Sequence, residues 1–205
     1  MPIMIRSLLL LCAAVIGLAS AAPAQAQLSL PAILDGKAAI LAPTDPDYAR
    51  AMVGAAVKSA GMGGVSDALV VKTSQDVAVY RMWNGPNRLD ARGNTNRLGG
   101  WWSYDPPTGS AAGYRRNYEI CLGWNDLTWV ATCTLKAGAV VAIGPGQSVS
   151  AETCGDPTGH EQYPANGRDW QLYLDKPWTR TAELVCPDQS KDYRANPSDI
   201  AKPAR

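Results

Sequence analysis

Phenylalanine is absent from this chain of 205 residues, histidine occurs once, and the formal net charge is only +1. Each shortage excludes something. A lone His160 argues against Ser-His-Asp or Cys-His catalysis. With no Cys-x-x-Cys spacing, it also leaves zinc as the weaker reading of the cysteines. A near-neutral charge balance argues against a general nucleic-acid or membrane-surface binder. Beyond the first residues no apolar run approaches the roughly 20 needed for a membrane span. In place of Phe, seven Trp and eight Tyr carry the aromatic load. Both side chains have polar handles that suit clefts and half-buried surfaces.

The N-terminus has the pattern of a secretory signal peptide over residues 1–26. Arg6 supplies the positive region, Ser7 to Leu18 the apolar region, and Ala24-Gln25-Ala26 a small-x-small cleavage site. Bulky Leu9 to Leu11 before Cys12 argue against a lipid-modified terminus. The expected product is soluble and exported, periplasmic or secreted, with about 180 residues and enough length for one domain with a core. Without Cys12, four cysteines remain: Cys121, Cys133, Cys154 and Cys186. In an oxidising compartment an even set reads as two disulfides. Three pairings are possible. Cys121–Cys133 and Cys154–Cys186 are favoured, because the first would bridge neighbouring segments and the second would tie down the C-terminal tail.

Residues 27–66 read as a small, apolar lead-in followed by a helix. Thr44-Asp45-Pro46 supplies its start, Tyr48, Met52, Ala55 and Ala56 its spacing, and Gly61, Gly63 and Gly64 its end. The main body is expected over residues 67–187. Residues 67–72 are apolar and of open type. Gln75 to Trp83 alternates as a strand, Asn84 to Gly100 reads as a loop, and Trp101 to Tyr104 is a short aromatic strand stopped by Pro106-Pro107. Tyr114 to Trp124 could be helical or extended. Strands follow over Leu127 to Leu135, Ala139 to Ile143 and Trp170 to Leu174. The polar tail, 188–205, is expected to be extended or disordered. One N-terminal helix and several short strands give an α+β class dominated by strands.

Three stretches could carry chemistry. Arg81 stands on a strand face with Val77, Val79 and Trp83, where a cation is unusual without a partner. Arg88, Arg92, Arg97, Arg115 and Arg116 crowd the same region, which suits an anionic small molecule. For Arg88, Arg92 and Arg97, a solvated loop is the better reading. In Trp101-Trp102-Ser103, one Trp should enter the core and the other line a groove, with Ser103 returning to the face of Trp101. Gln171 shares a strand face with Tyr173 and Asp175. Its amide can hold a hydroxyl or water but is a poor base. An exposed strand glutamine is the plainer reading of its spacing.

The order of these pieces carries a resemblance. Arg81 precedes Trp83-Asn84-Gly85, then come Gly99-Gly100-Trp101-Trp102-Ser103 and Pro106. A strand opened by Lys136-Ala137-Gly138 closes at Gly144, and a turn containing Gly167 leads to Gln171. Over residues 78–175 this resembles the NAD glycohydrolase toxins of the tuberculosis necrotising toxin type. It is more remotely similar to the ADP-ribosyltransferase superfamily. The family's turn carries consecutive glycines where this chain keeps only Gly167, and no glutamate occupies the transferase position.

The resemblance implies a split-sheet ADP-ribosyltransferase-like core that hydrolyses the nicotinamide–ribose bond of NAD or NADP without metal or cofactor. Arg81 would bind the pyrophosphate and Ser103 would orient the nicotinamide ribose. Gln171 would hold that ribose, and Tyr80, Trp83, Trp101 and Trp102 would line the substrate site, with Trp101 or Tyr80 against the nicotinamide. A toxin of this kind would travel with an immunity protein. Two other readings stand beside it: a non-catalytic periplasmic binding or inhibitor protein using the same groove, and a disulfide-stapled structural domain of the envelope.

Overall fold

The computed structural model of this protein describes residues 28–195. The signal-peptide segment and the end of the tail lie outside them. The fold is α+β and dominated by strands. β1 (Ala38–Ile40), β2 (Leu69–Thr73), β3 (Val77–Trp83), β4 (Trp101–Ser103), β5 (Trp129–Leu135), β6 (Val140–Gly146), β7 (Asn166–Tyr173), β8 (Leu184–Val185) and β9 (Tyr193–Arg194) form one antiparallel sheet. Its order is β1-β2-β6-β7-β4-β3-β5-β8, with β9 beside β8 on the outer edge of β5. Among the described residues there are also three short α-helices, α1 (Val53–Ala56), α2 (Ala111–Asn117) and α3 (Ala151–Cys154), and several 3-10 turns. Among the described residues no helix is long and apolar enough to cross a membrane.

Two short connections dictate the shape. β2 and β3 are joined by residues 74–76, and β5 and β6 by residues 136–139, although several strands separate each pair in the sheet. Such short links cannot span a flat sheet with strands about 4.8 Å apart. The sheet therefore folds over on itself. Val71, Val141 and Ile143 from one half and Val79, Leu135 and Trp102 from the other meet in the principal core. Paired strands β2 and β6 are buried on both faces at Val70-Val71 and Val140-Val141-Ala142-Ile143, which is why they read as continuous apolar runs. The halves join at β4, which is three residues long and meets β3 at a single registered pair, Tyr80 with Ser103.

Three expectations are corrected here. The N-terminal helix is broken: a 3-10 turn at Tyr48–Ala51 and α1 are separated by Met52 in a left-handed conformation. Ala51 and Ala56 are both buried against the sheet. On one continuous α-helix they would point about 140° apart, so the break lets both reach the core. The first residues of the tail are docked: Asp188 caps a 3-10 turn, β9 pairs with β5, and Asp192 is buried against Arg97.

The disulfides are Cys121–Cys154 and Cys133–Cys186, not the favoured pairing. Register explains the second. Thr134 lies opposite Val185, so the antiparallel ladder brings the next residue, Cys186, across from Cys133. Cys121 belongs to the segment after α2 and meets α3 instead.

Candidate functional site

Outer-face residues of β4 and β7 form the floor of a cavity of about 140 Å³ beneath α2 and the segment that follows it. Ser110 caps α2, its Oγ accepting from the Gly113 amide at 3.0 Å. The helix presents Tyr114 to the cavity, and Tyr118 lies next to it with ring centroids 4.5 Å apart. Buried Arg115 holds the following segment from beneath, donating to the Cys121 carbonyl at 3.1 Å. The disulfide from Cys121 to Cys154 fastens that segment to α3. Trp101 and Tyr173 meet at 4.8 Å on the sheet side.

The structure brings Arg81 and Gln171, ninety positions apart in sequence, to the same cavity, with Trp101 and Trp102. Arg81 reaches it through a gap. Past Tyr80 and Ser103, β3 and β4 diverge, and the guanidinium bridges the space: Nη1 donates to the Trp101 carbonyl at 2.8 Å and Nε to the Asn96 carbonyl at 3.1 Å. A Cβ on Gly99 would collide with that guanidinium, so a larger residue there would have to displace Arg81 from its present position. No carboxylate pairs with Arg81 among the described residues. Burial pushes its pKa down to about 10, which leaves it a cation at neutral pH. A partly buried cation satisfied only by carbonyls is a ready partner for an anion.

The other positions differ in role. Trp102 is a core residue whose Nε1 donates to the Gly99 carbonyl at 2.8 Å, and it also touches the cavity. Trp101 is half-buried and lines the cavity wall. Ser103 lies behind it: Oγ donates to the Asp105 carbonyl at 2.9 Å and stands 3.5 Å from the Tyr114 hydroxyl. Its contribution is to support Tyr114. Burial pushes the Tyr114 pKa up to about 12, so that hydroxyl stays neutral. Tyr80 and Trp83 are not among the cavity-lining residues, and Trp83 is fully buried.

The cation crowd is largely engaged elsewhere. Arg88 pairs with Asp126, and Arg97 is not a solvated loop residue but is buried against Asp192. Asn84 ties the loop back, accepting from the Asp126 amide at 2.7 Å, and Gly85 lies against Trp129 where a Cβ would collide.

Glu119 was not legible in the sequence as a site residue. It is 1% exposed, lines the cavity, and accepts from Gln171 Nε2 at 2.8 Å through Oε2. Among the described residues its Oε1 has no hydrogen-bond partner. Burial pushes its pKa up to about 9, against the lowering effect of the Gln171 contact, so the acid is neutral at pH 7. Its backbone is left-handed, with φ of 48°, a conformation that costs an L-residue about 1–2 kcal/mol. Its neighbours, Tyr118 and Ile120, offered the only sequence signal: an acid inside a partly apolar segment.

Among the described residues, one group of His, Cys, Asp and Glu is close enough to hold a metal: Cys121, Cys154 and Glu161. Two of the three are consumed by the disulfide, so this is no metal centre. Comparisons with protein-family models, curated proteins and solved structures returned no match to this chain.

Proposed function

We propose that this chain is an exported NAD(P) glycohydrolase with an ADP-ribosyltransferase-like core, acting as a toxin or effector. The observation that carries this reading is the convergence of Arg81, a cation without a carboxylate, and Gln171 on one aromatic-walled cavity. That pairing matches the order of motifs that suggested a dinucleotide. The two disulfides fit an oxidising compartment, periplasmic or extracellular.

The cavity is about half the lower end of the usual range for drug-sized ligands, roughly 300–1,000 Å³. It suits a nicotinamide ring with part of its ribose, the diphosphate leading out past Arg81. Arg81 binds the diphosphate charge. Trp101 and Tyr114 flank the ring. Gln171 accepts from a ribose hydroxyl and fixes the sugar while the bond from C1′ to the pyridinium nitrogen breaks. Nicotinamide leaves with the bonding pair, water adds to the oxocarbenium carbon, and one proton is released to solvent. Positioning and electrostatics supply the acceleration, since the leaving group is already cationic. Nicotinamide release from NAD, followed by chromatography, tests this. The native protein should release it and Gln171→Ala should not. A folded native protein that releases none would end the proposal.

One observation favours a second reading, a binding protein without turnover: Gln171 is only 5% exposed and its amide nitrogen is engaged inside the protein. That reading expects NAD to raise the melting temperature while nicotinamide stays bound to its ribose.

A further inference from the structure

Gln171 is a side chain with two faces, and the protein determines which one a ligand meets. Its Nε2 lies 3.3 Å from the Tyr118 carbonyl and 2.8 Å from Glu119 Oε2. A carbonyl oxygen can only accept, so the nitrogen must stand on that side. Reversing the amide would set its oxygen against the Tyr118 carbonyl and leave that carbonyl without its donor, which is costly. With both hydrogens engaged, the acceptor Oε1 is what the amide can offer the cavity.

Glu119 is built into this arrangement. It sits beside the bulge where β6 shifts register between Pro145 and Gly146. A Cβ on Gly146 would collide with its carboxyl group, so the glycine provides the space the acid occupies. The left-handed backbone at Glu119 turns the side chain back toward β7 at the cost of strain.

We propose that Glu119 is a positioning residue that locks the Gln171 amide with its carbonyl oxygen toward the cavity, so that the site selects a ligand group that donates a hydrogen bond, a sugar hydroxyl. The sugar rests on the function proposed above; the lock on Gln171 does not. Glu119 acts through Gln171 and touches no reacting atom. Tyr118 is the second half of the lock, through its backbone, so it persists whatever side chain stands at 118.

The test uses the side-chain amide signals of Gln171 in a nitrogen–proton correlation spectrum, assigned by their loss in Gln171→Ala. In the native protein both protons should exchange slowly with solvent. Glu119→Gln keeps an acceptor in place and should preserve the signals, with NAD turnover within about threefold of native. Glu119→Ala should move the signals to solvent-like positions, speed their exchange and lower turnover more than tenfold, approaching Gln171→Ala. Fast exchange in the native protein overturns the proposal, and that measurement stands even where Glu119→Ala does not fold. Unchanged signals in a folded Glu119→Ala overturn it as well. Protected signals in a native protein that releases no nicotinamide support the lock and overturn the glycohydrolase reading, so the two failures are distinguishable.

Discussion

Arg97, in the loop before β4, and Arg81, which donates to the carbonyl of the preceding Asn96, differ in the partners they find. Arg97 is buried and meets a carboxylate: Nε and Nη2 donate to the two oxygens of Asp192 at 2.6 and 2.8 Å, and Nη2 also reaches the Pro187 carbonyl. Arg81 is half-buried and, among the described residues, its guanidinium donates only to the carbonyls of Asn96 and Trp101. The first is a complete fork-to-fork pair that straps the tail across the molecule. The second is a cation with no carboxylate partner among the described residues, beside an aromatic cavity. The comparison separates an arginine that holds the fold from one available to an anion, a distinction that composition alone blurs.

Breaking the Arg97 pair should have the largest effect. Arg97→Ala leaves Asp192 as a buried, uncompensated charge and should cost about 3–5 kcal/mol of stability, read from urea unfolding. An effect under about 1 kcal/mol would mean that the strap contributes little. Next comes the disulfide between Cys121 and Cys154, which closes 33 residues. The chain-entropy account assigns such a loop about 3–4 kcal/mol. Replacing both cysteines by Ser should lower stability by that order and weaken NAD binding, because the cavity wall loses its fastening. Unchanged binding would place the wall's rigidity elsewhere.

Arg81→Ala sharpens the comparison from the other side. It should cost less stability than Arg97→Ala, yet weaken NAD binding by about 1.5–3 kcal/mol, roughly 10- to 150-fold, as titration calorimetry would read. Equal effects of the two substitutions on binding would dissolve the distinction.

Read over a single pH unit, the smallest effect is on pH dependence. Glu119 has a folded pKa raised to about 9 by burial. Its stabilising contribution is complete below the unfolded pKa of about 4.3. It is then lost as pH rises toward 9, because the folded state holds a proton that the unfolded state has released. Native stability should decline across this window, relative to Glu119→Gln, with a slope of at most about 1.4 kcal/mol per pH unit. Parallel profiles would show that Glu119 is ionised in the fold.

Much of the fold was legible in the sequence. The alternation of Val77, Val79 and Trp83 marks β3, and the apolar run from Ala139 to Ile143 marks β6, whereas residues 67–72, which form β2, were apolar but of open type. Arg81 was legible because a cation on a strand is conspicuous. What remained hidden depends on register and closure. The pairing of Cys133 with Cys186 follows from β8 lying beside β5, which no local pattern reveals. The helix expected through residues 44–58 ignored that Ala51 and Ala56 must both face the sheet. The solvated-loop reading of Arg97 failed because its partner, Asp192, lies 95 residues on. Glu119 looks like an ordinary acid until the segment after α2 closes over Gly146 and Gln171, and only then does it become buried.

The proposed function puts the diphosphate of a dinucleotide on Arg81 and its nicotinamide end in the cavity. A crystal structure of Gln171→Ala soaked with NAD tests it most directly. The expected result is diphosphate oxygens within hydrogen-bonding distance of the Arg81 guanidinium and the nicotinamide ring between Trp101 and Tyr114. NAD bound elsewhere, with no phosphate at Arg81, would contradict it.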